Sequence, residues 1–202
     1  SSSTEHQEIL IQMRDHLREK LLALPDLSFY PEPFLLENAL KNPIDFGLSH
    51  QNEIQELLAV ADLNLYSFEE AEQQIKKALA NKNPWKRYWG LIACSSFGIE
   101  AKSFLPKIQD ILNKDQVNLV RFRALEYLML NQKHYDTKII KELLGSAKSK
   151  TEANLMLNSL ALIKSLNPTF KIDSSKEIFP TEWYEKENDL VNRRMDYLIY
   201  NL

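Results

Sequence analysis

Apolar residues fall at helical intervals from the start of the chain. Ile9, Met13, Leu17, Leu21 and Leu24 recur at steps of 4, 4, 4 and 3 residues, which sets them on one face of an α-helix opposite Glu8, Arg14, Arg18 and Glu19. The T-E-H-Q start places Gln7 three residues after Thr4, the spacing of a capping box. A helix is therefore predicted from Thr4 to Leu24, closed by Pro25. Residues Pro25 to Pro33 read PDLSFYPEP, and their three prolines and two aromatics predict an ordered extended segment. A short helix over Pro33 to Leu40 follows, then a turn region marked by Asn42-Pro43 and Phe46-Gly47. The next helix, Ser49 to Leu63, buries Ile54, Leu57, Leu58 and Ala61.

From Ser67 the pattern becomes regular. Ser67 and Glu70 form a second capping box, and Glu69, Glu70 and Glu72 suit the positive end of a helix dipole, a structural use for the acidic cluster. Ile75 and Leu79 precede a break at Asn83-Pro84, after which WKRYWGLIACSSFG resumes as a helix. Ile108 and Leu112 precede RFRALEYL, with a break at Lys114 to Gln116. Ile140 and Leu144 precede MLNSLALI, with a break at Ser149 to Lys150. Ile75, Ile108 and Ile140 lie 33 and 32 residues apart, as do Leu79, Leu112 and Leu144. Tyr88, Phe122 and Leu157 lie 34 and 35 apart, as do Leu91, Leu125 and Leu160.

Three helix pairs are implied. A single pair cannot bury both its apolar faces, so three in series predict an all-α fold, a short right-handed α-solenoid of HEAT-like helical pairs with atypical capping helices at both ends. The division expected is an N-terminal helical segment with its proline and aromatic connection (1–66), three helix pairs (67–167), and a linker with a C-terminal capping helix (168–202). Asn167-Pro168 and KIDSSKE form that linker, and PTEWYEKENDLVNRRMDYLIYNL, with Trp183, Leu190, Met195, Leu198 and Ile199, is the predicted cap.

Composition changes the picture little. The chain has 202 residues, 44% of them hydrophobic, enough for one substantial core. A net charge of -3 does not favour phosphate backbones, so no nucleic acid partner is expected. No run approaches a membrane span and the polar start carries no signal-peptide core, so no membrane insertion is expected. That start could be the cut edge of a longer protein. Cys94 is the single cysteine and leaves the compartment open.

Candidate chemistry is sparse. Trp85, Tyr88, Trp89, Ile92 and Ser96 follow one face of the NPWKRYWGLIACSSFG helix, and Leu91 and Cys94 follow the adjoining one. This helix is read as central, with Trp85, Tyr88 and Leu91, and Phe122 and Leu125 in the next repeat, as core, against the alternative of an aromatic ligand box. Gly90 marks close approach of another helix. Arg87 and Arg121 occupy equivalent repeat positions 34 residues apart; with Asp115 they are read as a ladder of charge-assisted hydrogen bonds between repeats, the alternative being ligand binding. The four histidines, His6, His16, His50 and His134, show no metal-site spacing. Cys94 has no basic neighbour in its helix to activate it, and no phosphate-binding glycine loop or nucleophile-elbow motif is present. No catalytic, cofactor-binding or metal-binding residue is assigned, and no cofactor is expected. Phe29, Tyr30 and Phe34, in the proline-stiffened segment, are candidate interface anchors, or they fold back onto the first helices.

The runs MRDHLREKLLALPDLSFYPEPFLLENAL, NPIDFG and ADLNL, and above all NPWKRYWGLIACSSFG followed by VRFRALEYL, resemble the HEAT-like C-terminal extension of many bacterial sulfatases. The resemblance covers residues 9 to 130. It implies an accessory domain packed against, or working beside, an upstream catalytic domain, and a periplasmic or extracellular location. The family's C-x-P-x-R or S-x-P-x-R signature and its calcium ligands have no counterpart here; Cys94, in C-S-S-F-G, lacks the required proline and arginine. No catalytic role is carried over. Two rival functions are a free-standing α-solenoid that binds proteins in its groove and a HEAT-like DNA glycosylase. The latter is opposed by 28 acidic against 25 basic residues, since such proteins look strongly basic along the groove.

Overall fold

The computed structural model of the chain describes residues 6–132, 137–172, 175–185 and 189–200. Thr4 and His134 lie outside them. Among the described residues all regular structure is helical, with no β-strand. The chain divides into two compact units, Ser1–Ala59 and Val60–Leu202.

The first unit contains α1 (Gln7–Ala23), a 3-10 turn at Leu27–Phe29, α2 (Glu32–Asn38), α3 (Pro43–Ser49) and most of α4 (Gln51–Ala61). Pro33 sits in the first turn of α2, where its missing N–H would have had no helical partner. Asn42-Pro43 is a helix start rather than a turn: the Asn42 side chain accepts from the Asp45 N–H at 3.2 Å, and Pro43 takes the first helical position. Gly47 is buried inside α3. A Cβ there would stand 3.2 Å from Pro25 Cβ and 3.4 Å from Leu27 Cδ2, so the Pro25–Leu27 stretch lies directly on this turn of helix. Gln51 Nε2 donates to the Leu22 carbonyl at 3.1 Å, tying α4 to α1. The α1 stripe differs from expectation, because Ile9, Met13, Leu17 and Leu24 are exposed; helical periodicity reports a coherent apolar face without reporting what covers it.

The second unit holds α5 (Phe68–Leu79), α6 (Pro84–Phe97), α7 (Leu105–Lys114), α8 (Asn118–Gln132), α9 (Thr137–Gly145), α10 (Lys150–Leu166) and α11 (Leu190–Ile199). At the start of α5 the Ser67 side chain and the Glu70 carboxylate cap each other reciprocally, and the Ser67 N–H, then its hydroxyl, hold the Glu70 carboxyl below the usual carboxylate range. Helix α5 packs on α6 and α7 on α8; α8 in turn packs on α6 and α10, and α10 on α11. Helix α9 lies against α8 and the 3-10 turn at Lys176–Ile178. Ile75, Leu79, Ile108, Leu112, Ile140 and Leu144 are all buried, as are Tyr88, Leu91, Phe122, Leu125, Leu157 and Leu160. A Cβ on Gly90 would meet Ala78 Cβ at 3.1 Å and Leu79 Cδ2 at 3.3 Å, so glycine lets α5 and α6 approach closely. Gly98 ends α6 with φ 59°, a left-handed backbone that glycine adopts at little cost. The C-terminal part is less helical than its periodicity predicts: Thr181–Trp183 forms only a 3-10 turn, with Trp183 against Phe179 at 5.8 Å between ring centroids.

Cys94 is fully buried, and Tyr127 beside it in the core donates to the Gly98 carbonyl at 3.2 Å. Burial pushes both groups up to about 12, and for Tyr127 the charge of an ionised Cys94 adds to the effect. Folding thus favours the protonated forms, and the unfolded chain releases its protons first. The stability they contribute is fully present below about pH 8.5 and is lost as pH rises toward 12. Urea midpoints are expected to fall between about pH 8 and about pH 10.5, with a shallower fall in Cys94→Ala. An unchanged slope in that variant would remove Cys94 from the linkage.

Candidate interaction surface

Polar contacts between helices of the second unit run through a few arginines. Arg87 Nε and Nη2 donate to the two carboxylate oxygens of Asp115 at 2.6 and 2.9 Å, while Nη1 donates to the Asn81 and Lys82 carbonyls at 2.8 and 2.9 Å. The guanidinium therefore joins the turn before α6 to the turn before α8, where Asp115 also accepts from the Val117 N–H. Arg121, one repeat later, bonds differently. Its Nε donates to the Leu112 carbonyl at 2.8 Å and its Nη2 to Glu142 on α9 at 3.0 Å. Asp115 is 4% exposed whereas Glu142 is 57% exposed, so the first contact lies in a drier setting than the second.

A second set of charges went unread in the sequence. Arg123 on α8 donates through Nη1 to both oxygens of buried Glu126 at 2.9 and 2.8 Å and through Nη2 to the Tyr88 hydroxyl at 2.8 Å, with Ser159 of α10 at 3.4 Å. One side chain thus links α6, α8 and α10. The i, i+3 spacing of Arg123 and Glu126 was the available signal, masked by the apolar positions around it. Lys164 of α10 donates to the carbonyls of Tyr197 and Tyr200 at the end of α11, and Lys150 pairs with Asp189 at its start. Arg194 on α11 reaches Asn158 at 2.5 Å. Carbonyl acceptors more than thirty residues away leave no trace in local sequence.

Trp85, Tyr88, Leu91, Phe122 and Leu125 are buried, and Trp85 and Tyr88 meet edge to face at 6.4 Å. Among the described residues no group of three or more His, Cys, Asp or Glu side chains could hold a metal ion, and no helix is long and apolar enough to cross a membrane.

In the first unit the proline and aromatic segment turns inward. Phe29 and Tyr30 are buried; Tyr30 stacks on Phe34 at 5.1 Å and meets Phe46 edge-on at 5.6 Å, and Phe46 stacks on His50 at 4.0 Å. Burial, then the charge and hydrogen bond of Glu53, raise the Tyr30 phenol well above its ordinary range. Phe29 and Tyr30 are therefore not the exposed anchors of this unit; the sequence carried no information on whether the aromatics faced out or in.

The exposed apolar surface lies elsewhere. Ile9, Ile11, Met13, Leu17, Leu24, Leu36, Leu40, Ile44 and Leu48 are all exposed, nine of the sixteen large apolar side chains so exposed among the described residues. Met13 and Ile44 leave 68% and 74% of their surface in solvent, and no residue of α1 is buried. Single exposed leucines need no explanation, but a concentration of this kind marks an interaction surface.

No protein-family model, curated protein or solved structure matches the chain.

The Arg87 contact can be tested directly. Asp115→Ala leaves a poorly solvated guanidinium without its carboxylate and is expected to cost about 3 to 5 kcal/mol in urea unfolding. Glu142→Ala removes a half-exposed partner and is expected to cost less than about 1 kcal/mol. Equal losses would show that the burial of Asp115 does not set the strength of the ladder.

Proposed function

We propose that this chain is a non-catalytic helical interaction module of HEAT-like pairs, and that its N-terminal unit docks onto another protein domain. The observation that carries the reading is the contrast between the two units. Residues 60–202 bury their repeat positions, whereas the shorter N-terminal unit exposes most of the large apolar side chains left in solvent. An apolar surface of that density in water is stabilised by a covering partner.

The partner favoured by the residue pattern is an upstream, sulfatase-like catalytic domain. That choice rests on the NPWKRYWGLIACSSFG and PDLSFYPEPF runs, and in it the chain supplies support or a surface for polymer substrate while the upstream domain supplies the nucleophile and metal. Arg87, Arg121 and Asp115 then serve to keep the helix pairs in register.

Carbene footprinting of the chain alone and within its full reading frame tests the reading. Labelling at Ile9–Leu17 and Leu36–Leu48 is expected to fall at least about threefold in the longer protein, as burial at an interface requires. Equal labelling in both, or a reading frame that starts beside Ser1, would rule out an attached domain as the partner.

A further inference from the structure

We infer that the surface formed by Leu36, Leu40, Ile44 and Leu48 receives a protein face that is apolar at its centre and basic at its rim. The inference rests on the docking role proposed above and adds the chemistry of the partner. These four side chains recur at a constant spacing of four residues. Leu36 lies on α2, Leu40 follows the helix in its exit turn, and Ile44 and Leu48 lie on α3. All four are exposed.

The charge around them is one-sided. Glu32, Glu37 and Asp45 are exposed on the same two helices. Between residues 24 and 59 the acidic residues are Asp26, Glu32, Glu37, Asp45, Glu53 and Glu56, against one basic residue, Lys41. The whole N-terminal unit carries 10 acidic and 4 basic residues, a formal charge of -6, and the remaining residues, with 18 acidic and 21 basic, carry +3.

This distribution selects among occupants. An anionic membrane surface or a nucleic acid would meet like charge and be repelled. A second copy meeting the same patch across a two-fold axis would set six carboxylates against six, and like-charge juxtaposition across an interface is costly. A basic rim gains from the same carboxylates, which steer its approach and fix its register while the leucines and isoleucine supply the contact area. Burying them also excludes water from the rim contacts and strengthens them.

Two synthetic helical peptides with the same leucine face, one completed with lysines and the other with glutamates, provide the probes. Each is titrated into the full chain and followed by amide chemical shifts at low and high salt. The lysine peptide is expected to bind at least about tenfold more tightly, with shifts concentrated in α2 and α3 and an affinity that falls with salt. Leu40→Ser with Ile44→Ser is expected to weaken it about tenfold, and Glu32→Gln with Glu37→Gln about threefold, without change in thermal unfolding. Equal or reversed preference, absence of binding, or shifts confined to other helices would overturn the proposal. So would self-association in sedimentation that the Leu40→Ser/Ile44→Ser variant abolishes, since the occupant would then be a second copy. Footprint protection in the longer protein without a charge preference would overturn the basic partner and leave the docking role standing.

Discussion

A helix surrounded by other helices can carry charge only if each charge finds a partner inside the protein, because an unanswered ion in such a setting costs several kcal/mol. Helix α8 is in this position. It packs against α6, α7, α9 and α10, and apart from Arg121, Arg123 and its two ends it is almost wholly buried. Its ionic groups are met by Leu112 and Glu142, by Glu126, Tyr88 and Ser159. The apolar residues bring the helices together; these fixed polar partners set how far one helix can slide past the next.

The Arg87 contact extends the same constraint to the turns. A bidentate guanidinium demands a carboxylate in one plane and at one distance, so the turn before α8 is held to the turn before α6 across the breadth of a helix pair. At the other end, Lys150–Asp189 and the Lys164 contacts fasten both ends of α11 to α10. Val191, Met195 and Leu198 are buried on this last helix, so α11 combines an apolar seat with polar fastenings at its termini.

How far this was legible in the sequence depended on the range of the interaction. The 32- to 35-residue recurrences located the helices of the second unit, because capping residues such as Ser67, Asn83 and Ser149 act within three residues of themselves. Gly90 announced a close approach for the same local reason. Asn42-Pro43 misled, since an asparagine before proline serves equally as a turn and as a helix cap, and only the following turn of chain decides between them. The α1 stripe was visible while its exposure was not, and the inward turn of Phe29 and Tyr30 depends on Phe46 and His50, which lie far along the chain. Arg123 and Lys164 find partners thirty-three to thirty-six residues away, beyond what local pattern can report.

The central claim is that residues 60–202 carry a self-sufficient core while α1 to α3 present an apolar surface short of cover. Native-state hydrogen exchange on the isolated chain measures this most directly, because it assigns an opening free energy to each segment. Amides of α6, α8 and α10 are expected to exchange only through global unfolding. Those of α1, α2 and α3 are expected to open locally, at least about 2 kcal/mol more easily. Uniform protection from α1 to α10 would contradict the account, since it would mean that the N-terminal unit is as completely stabilised by this chain alone as the helices around α8.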